Sequence, residues 1–471
     1  MRLGALIGTD SATPVTGFAI DHRKVAPGTV FGAFSGATFN GEDFIPAAIA
    51  AGAVAVVARP ETAVDGAVHV ADANPRRAFA LLASTYFKPF PDVCVAVTGT
   101  NGKTSTVELA RQIWRMTGLS AASIGTLGIT TSDEQVTTGL TTPDVATFLS
   151  NMAGLKREGV THVAFEASSH GLDQYRVAGV PIKAAAFTNF SRDHLDYHGT
   201  MEAYFKAKMR LFEELVAESG TAVVWADDGA SDDVIAVANA RGLRLVTVGE
   251  RGETLRLVER SIGQLGQNLV IEAEGKLHKV ALPLIGAYQV SNALTAAGLV
   301  IACGGEVAQT LANLGRVQGV RGRLERAVIT KTGAPVYIDY AHTSDALEAA
   351  IAALRPHAKG RIIAVFGAGG DRDTGKRPQM GAIAVRDADV VIVTDDNPRS
   401  EDAAAIRRAI LVAAPCATEI GDRREAIGAA IAMAGADDIV LIAGKGHETG
   451  QEVNGLKLPF DDREVARECA T

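Results

Sequence analysis

The chain reads as an α/β protein of three domains, and three observations predict that class. Apolar, β-branched runs alternate with Ala-rich stretches of helical periodicity, the pattern of mainly parallel sheets covered by helices. At 471 residues the chain exceeds what one hydrophobic core supports. The alternation also restarts, which divides the sequence into units at 1–88, 89–325 and 326–471. The expected architecture is a small N-terminal α/β domain, a central α/β domain with a mainly parallel sheet, and a C-terminal Rossmann-like domain.

Composition narrows the partners. Hydrophobic residues make up 47% and charged residues 21%, with 49 Gly and 16 Pro, as in globular chains. The net charge of −8 offers no bulk attraction to nucleic acid or to an anionic membrane, so neither partner is expected and a bound anion must be held by local groups. Cys94, Cys303, Cys416 and Cys469 are scattered, without the spacing of a zinc site or a disulfide framework. Cys94 and Cys303 lie in apolar runs and are expected simply to pack. No signal peptide opens the sequence and no apolar run is long enough for a bilayer, so a cytoplasmic protein is expected.

In the first unit, Val30–Phe34 and Val54–Ala58 read as strands with the Ala-rich helix Ile45–Ala51 between them. Asp21-His22-Arg23-Lys24 is a polar turn, and Pro89 and Pro91 punctuate a linker. The second unit opens on Val93-Cys94-Val95-Ala96-Val97, followed by Thr98-Gly99-Thr100-Asn101-Gly102-Lys103-Thr104-Ser105. Val107, Ala110, Ile113 and Trp114 then recur at helical spacing. Strand, glycine turn and helix in that order form a loop whose backbone N–H groups wrap phosphates at a helix N-terminus. This makes the central unit one of the phosphate-loop ATPase type. Lys103 is expected on the β/γ-phosphates and the Thr104 hydroxyl on Mg²⁺. The loop is shorter than the usual pattern, because position 97 is Val rather than Gly.

Further along, Thr137-Thr138-Gly139-Leu140-Thr141-Thr142-Pro143-Asp144 is a hydroxyl-rich turn in which Pro143 suits a helix start. The strand His162–Phe165 runs into Glu166, an acid at a strand's C-terminal end beside a phosphate loop, where a magnesium-binding group belongs. Ala185–Asn189 is another strand and Met201–Phe212 a helix. Residues 220–284 read as mixed strands and turns that carry no recognisable chemistry. In the third unit, Val336–Asp339, Arg361–Phe366, Val390–Thr394 and Ile439–Ala443 read as strands, each followed by a Gly-, Asp- or His-rich segment.

Several short stretches occur in one order. They are Thr98 to Thr104, Glu166-Ala167-Ser168-Ser169-His170, Asp193-His194-Leu195-Asp196-Tyr197-His198, Gly322-Arg323-Leu324-Glu325, Asp339-Tyr340-Ala341-His342 and Gly444-Lys445-Gly446-His447-Glu448. Together they resemble the Mur ligases, over nearly the whole chain. The resemblance implies ATP-driven amide formation through an acyl phosphate in peptidoglycan precursor synthesis. It also implies an N-terminal domain that binds a UDP-sugar, here UDP-N-acetylmuramoyl-L-alanyl-D-glutamate, and a monomer that handles small molecules only.

Residue by residue, the resemblance assigns ATP binding to Thr98–Ser105, Asn292 and Arg323, with Asp339 and His342 closing over the nucleotide from the third domain. It implies two Mg²⁺ ions, one on Thr104 and Glu166, the other on His194 and Lys208. Lys208 aligns with the family's modified lysine, an N6-carboxylysine whose carbamate derives from CO₂; spacing alone does not choose it over Lys206. Thr141, Thr142, Ser169 and Arg176 match contacts to the nucleotide-sugar dipeptide. In the first domain the family's usual Asp-Ser-Arg is Asp21-His22-Arg23. Either His22 replaces the Ser hydroxyl as a donor beside Arg23, or the loop sits differently.

For the acceptor amino acid, Arg suits a carboxylate and Glu an ammonium. Arg372, Asp396-Asn397-Pro398-Arg399, Gly444 and Glu448 supply both kinds of group, which a zwitterion with two carboxyl ends requires. Asp-Asn-Pro-Arg resembles the family's diaminopimelate signature. Three other readings stand beside this one. The same ligase with L-lysine as acceptor would set Arg399 against a like charge. Folylpolyglutamate synthase lacks such an N-terminal domain. A non-catalytic, nucleotide-dependent regulatory protein requires the distal residues to be coincidental.

Overall fold

The fold is seen in a computed structural model, which describes every residue except 37, 38, 133, 137–139, 264, 265 and 471. Val93–Thr98 is buried at every position, which is why its sequence is continuously apolar rather than alternating. It lies inside an eleven-stranded sheet. Leu255–Gly263, Arg244–Gly249, Val216–Trp225, Ile182–Phe187, Val93–Thr98, His162–Glu166 and Ala121–Gly125 run parallel in that spatial order. Antiparallel strands extend both edges. The helix Lys103–Met116 packs Val107, Ala110, Ile113 and Trp114 into the core beneath it. Truncating the buried Trp114 to Ala would cost about 3–5 kcal/mol.

The first domain's sheet holds Gly17–Ala19, Thr29–Gly32, Ala53–Ala58 and Val68–Ala71, all parallel. The third holds Glu325–Ile329, Pro335–Asp339, Ile439–Ala443, Ile362–Phe366, Val390–Val393 and Thr418–Glu419, antiparallel only at its first pair. A two-stranded hairpin, Gly450–Val453 with Leu456–Pro459, stands apart from it.

Register brings the chemistry together. Val97 pairs with Glu166 and Thr98 with Phe187, so the phosphate loop, Glu166 and the segment leading to His194 leave the sheet at one edge. In the third sheet, Asp339 pairs with Ala443 and Phe366 with Val393, so the loops carrying Asp339, Gly444, Arg372 and Asp396 also share an edge.

Some expectations change. The proline-punctuated stretch after residue 88 is no loose linker: Phe90 is buried in an apolar cluster that runs from Phe18 and Phe79 of the first domain to Cys94 and Ala96 of the second. Pro143 lies outside the helix Val145–Arg157, whose cap is the Asp144 carboxylate accepting from Thr147 N–H. The helix Met201–Arg210 passes into a π-turn, Leu211–Leu215. A helix, Ser231–Ala240, lies in the stretch read as strands and turns, burying only Ser231, Val234 and Ala238 and so leaving a weak periodic signal. Thr137, Thr138 and Gly139 lie outside the described residues. Among the described residues no helix is long and apolar enough to cross a membrane.

Candidate active site

A cavity of about 380 Å³ lies where the phosphate loop, Glu166, His194, Asn292, Arg323, Asp339 and His342 converge. The loop's shape depends on glycine. Gly102 has φ 85°, and a Cβ there would collide with Asn292 Oδ1. Asn292 is buried and donates to Gln289 Oε1 at 3.1 Å. Thr98 and Thr100 are buried, and Asn101 N–H donates to Asn189 Oδ1 at 2.8 Å. Ser105 follows, buried in the first helical turn.

Lys103 Nζ donates to the carbonyls of Gly99 and Thr100 at 3.0 and 2.8 Å. Burial pushes its amine down, opposed by Glu166 and Asp193. Lys208 Nζ donates to the same Gly99 oxygen at 2.8 Å and lies 4.2 Å from the Tyr204 ring centre. Complete burial, reinforced by Lys103, holds the Lys208 amine well below the usual lysine range.

Thr104 and Glu166 meet through Thr126, a residue the motifs did not single out. Thr126 donates to Glu166 from its N–H at 2.7 Å and from its hydroxyl at 3.1 Å. The same hydroxyl lies 3.4 Å from Thr104 Oγ1 and 3.1 Å from Thr141 Oγ1. Arg323 donates to Thr104 Oγ1 at 3.1 Å and lies over the Tyr340 ring. These hydroxyl and carboxylate oxygens suit Mg²⁺, which takes few protein ligands and leaves positions for phosphate and water.

His194 has φ 54° and its Nε2 lies 3.4 Å from Asp193 Oδ2. Burial keeps this imidazole neutral, with a lone pair for a cation. Asp193 stays ionised against burial, with Lys376 near it and the His194 N–H donating to its Oδ1 at 2.9 Å. Asp339 is not a helix cap: Thr343 caps the helix Ser344–Leu354, and the Asp339 carboxylate accepts from Leu324 N–H at 2.6 Å and Ala341 N–H at 2.7 Å. Burial raises its pKa, with Arg323 opposing. His342 Nδ1 lies 2.9 Å from the Tyr340 carbonyl, and burial lowers its pKa to about 4.

The nucleotide-sugar residues divide. The Thr142 hydroxyl is committed to the fold, donating to the Glu166 carbonyl at 2.9 Å and accepting from Ser168. Arg176 donates to the Thr142 carbonyl at 2.8 Å. Ser169 is buried on the cavity wall, and its Oγ has no partner among the described residues. His22 and Arg23 lie away from the cavity wall. His22 stacks on Phe44 at 4.5 Å between ring centres, and the exposed Arg23 pairs with Asp21.

The amino-acid residues form a second cluster. Asp396, Asn397 and Pro398 are buried, and Arg399 is partly so. Arg399 has φ 53°; its Nη1 donates to the Gly370 carbonyl at 2.6 Å and its Nε faces Glu452 Oε2 at 3.3 Å. Asn397 donates to Glu448 Oε2 at 2.8 Å. A Cβ on Gly444 (φ 114°) would collide with Asp396 Oδ2. Arg372 is exposed and donates to the Asp371 carbonyl at 3.2 Å. Beneath this cluster the fully buried pair Arg423–Asp462 is 2.7 Å apart, with Arg423 also donating to the carbonyls of Asp395 and Ala443. Lys376 faces both clusters: burial lowers its amine, while Asp193 and then Asp396 oppose that shift.

Residues 14–93 match the family description "Mur ligase family, catalytic domain", residues 97–300 "Mur ligase middle domain", and residues 322–446 "Mur ligase, glutamate ligase domain". A UDP-N-acetylmuramoyl-L-alanyl-D-glutamate--2,6-diaminopimelate ligase from Zymomonas mobilis is 61% identical over 460 residues, covering 97% of this chain and 95% of that protein. A protein of the same name from Bradyrhizobium diazoefficiens is 52% identical over 478 residues, 99% of this chain and 98% of that one. A solved structure of a ligase of that name aligns with a TM-score of 0.72 at 33% identity, covering 100% of this chain and 98% of its own. With all three domain matches in chain order and relatives spanning it nearly end to end, the chain belongs to the Mur ligase family.

Proposed function

We propose that the protein is the ATP-dependent ligase that joins meso-diaminopimelate to UDP-N-acetylmuramoyl-L-alanyl-D-glutamate, acting as a cytoplasmic monomer. The observation that carries this reading is the pairing of two half-sites. A phosphate-loop cavity lined by Lys103, Lys208, Glu166, Arg323 and Asp193 is accompanied by a cluster holding both Arg399 and Glu448, and the charges of Asp193 and of Asp396, which belong to the one and the other, both act on the buried Lys376. The relatives named for this reaction support it.

A carboxylate is a poor electrophile and has to be activated. The terminal phosphoryl of ATP transfers to an oxygen of the D-glutamyl side-chain carboxylate, ADP leaves, and an acyl phosphate forms. Lys103 and Arg323 bear on the phosphate oxygens, where negative charge spreads in the transition state. The amine of diaminopimelate then attacks the acyl carbon. The carbon–nitrogen bond forms, the bond to the phosphate oxygen breaks, and the amine's proton leaves with the phosphate. Arg399 holds a carboxylate of the far end and Glu448 its ammonium, the combination that disfavours lysine. Thr141, Ser169, Arg176, His22 and Arg23 hold the nucleotide sugar.

Thr104 and Glu166 would hold one Mg²⁺, and His194 with carbamylated Lys208 a second; bound there, the ions neutralise phosphoryl charge. Lys208 suits carbamylation because only an unprotonated amine adds to CO₂, losing a proton as its nitrogen–carbon bond forms, and burial favours that form. The test is the mass of the product from purified protein, ATP, the UDP-muramoyl-dipeptide and diaminopimelate. The reading requires a nucleotide-linked tripeptide formed one for one with ADP; nucleotide hydrolysis without a new amide contradicts it.

A further inference from the structure

We propose that Lys445 is the positioning residue of the amino-acid half-site: it fixes both the group that reads the far ammonium and the segment that carries the carboxylate reader. The proposal rests on the function proposed above and deepens it.

Lys445 is fully buried, and its ammonium spends all three N–H groups on oxygen. The acceptors are Asn397 Oδ1 at 3.1 Å, Glu448 Oε2 at 3.2 Å and the Gly450 carbonyl at 2.5 Å. Asn397 Nδ2 donates to the same Glu448 oxygen at 2.8 Å. One carboxylate oxygen is therefore clamped twice, while Oε1 has no hydrogen bond among the described residues. A carboxylate pinned by one oxygen presents the other in a fixed direction to an incoming ammonium.

The same ammonium reaches Arg399. Asn397 Oδ1, which Lys445 holds, also accepts from Glu452 N–H at 2.9 Å. The Glu452 carbonyl takes Arg399 N–H at 2.9 Å, and its carboxylate faces the Arg399 guanidinium. Gly450, the third acceptor, begins the strand Gly450–Val453 that carries Glu452. Lys445 thus ties together the two substrate-reading side chains, which lie on different loops.

The Asp395 and Ala443 carbonyls flanking the site are held separately by Arg423, itself paired with Asp462. The Glu448 side chain keeps 30% of its surface in solvent, so it remains hydrated if Lys445 is lost.

The experiment compares K445M, E448Q and the double variant with the unsubstituted protein, whose ligation of diaminopimelate is the baseline; absence of that baseline counts against the proposed function rather than against Lys445. In K445M the KM for diaminopimelate is expected to rise about 10-fold or more, with kcat and the KM for ATP within about 3-fold of baseline. Because Lys445 acts in part through Glu448, the loss in K445M/E448Q should be clearly smaller than the sum of the two single losses. An unchanged KM for diaminopimelate in K445M overturns the proposal, as do equal losses for all substrates or fully additive losses in the double variant. Failure of K445M to fold beside a folded E448Q also overturns it, making Lys445 a stability residue.

Discussion

Lys103 and Lys208 donate to one acceptor, the carbonyl oxygen of Gly99, at 3.0 and 2.8 Å. Two buried ammonium ions on one dipole repel each other, and burial together with the Lys103 charge pushes the Lys208 amine well below the usual lysine range, toward its unprotonated form. Lys208→Ala should therefore lower turnover by about 100-fold or more, with part of the rate restored by a short-chain carboxylate added in place of the carbamate. Steady-state rates with and without propionate check this; full activity in the variant removes the carbamate from the mechanism.

Thr126 joins Glu166, Thr104 and Thr141 through one hydroxyl. Thr126→Val keeps the shape and the N–H bond to Glu166 but removes that hydroxyl. The expected result is a fall in kcat of about 10–100-fold and a higher Mg²⁺ concentration for half-maximal rate, the usual outcome of losing a partner behind a metal ligand. A magnesium titration of the variant measures both.

Arg399 is held in a left-handed conformation, φ 53°, by backbone bonds to Glu452 and Asn454. A non-glycine residue held there stores about 1–3 kcal/mol. The hairpin bonds sustain that conformation and with it the direction of the guanidinium. Arg399→Ala should raise the KM for diaminopimelate by about 10–100-fold while kcat changes little. Its preference for diaminopimelate over lysine should narrow, as competition assays with both amino acids would show.

Acid should weaken the fold before the carboxylates titrate. Burial lowers the pKa of His342 from 6.5 to about 4 and that of His447 from 6.5 to about 3. Between those values and 6.5 the unfolded chain binds protons that the native one refuses. Stability is therefore whole above 6.5 and is lost as pH falls toward 4 and 3. Melting midpoints across that range should fall steadily, and less steeply in a His342→Gln/His447→Gln variant.

The phosphate loop was legible because its signal is local: a buried strand, a glycine turn and an amphipathic helix adjoin in sequence. Glu166 was legible for the same reason, as the acid ending a strand. Lys208 was not separable from Lys206 by spacing, although the exposed Lys206 and buried Lys208 differ plainly in three dimensions. The i, i+4 step from buried Tyr204 was the signal available. Thr126 carried no motif; only the parallel pairing of Ala121–Gly125 with His162–Glu166 brings it beside Glu166. Lys445 lies within Gly444-Lys445-Gly446-His447-Glu448, but its contacts depend on Asn397, a residue on another loop. His22 departed from the family pattern, and its stacking on Phe44 explains how the turn accommodates an aromatic ring.

The most direct test of the central claim is phosphate release by the purified protein with ATP, UDP-N-acetylmuramoyl-L-alanyl-D-glutamate and one amino acid at a time. Release that requires meso-diaminopimelate, with lysine at the same low concentration giving little, is the predicted result. Equal release with lysine, or release indifferent to any amino acid, would contradict it.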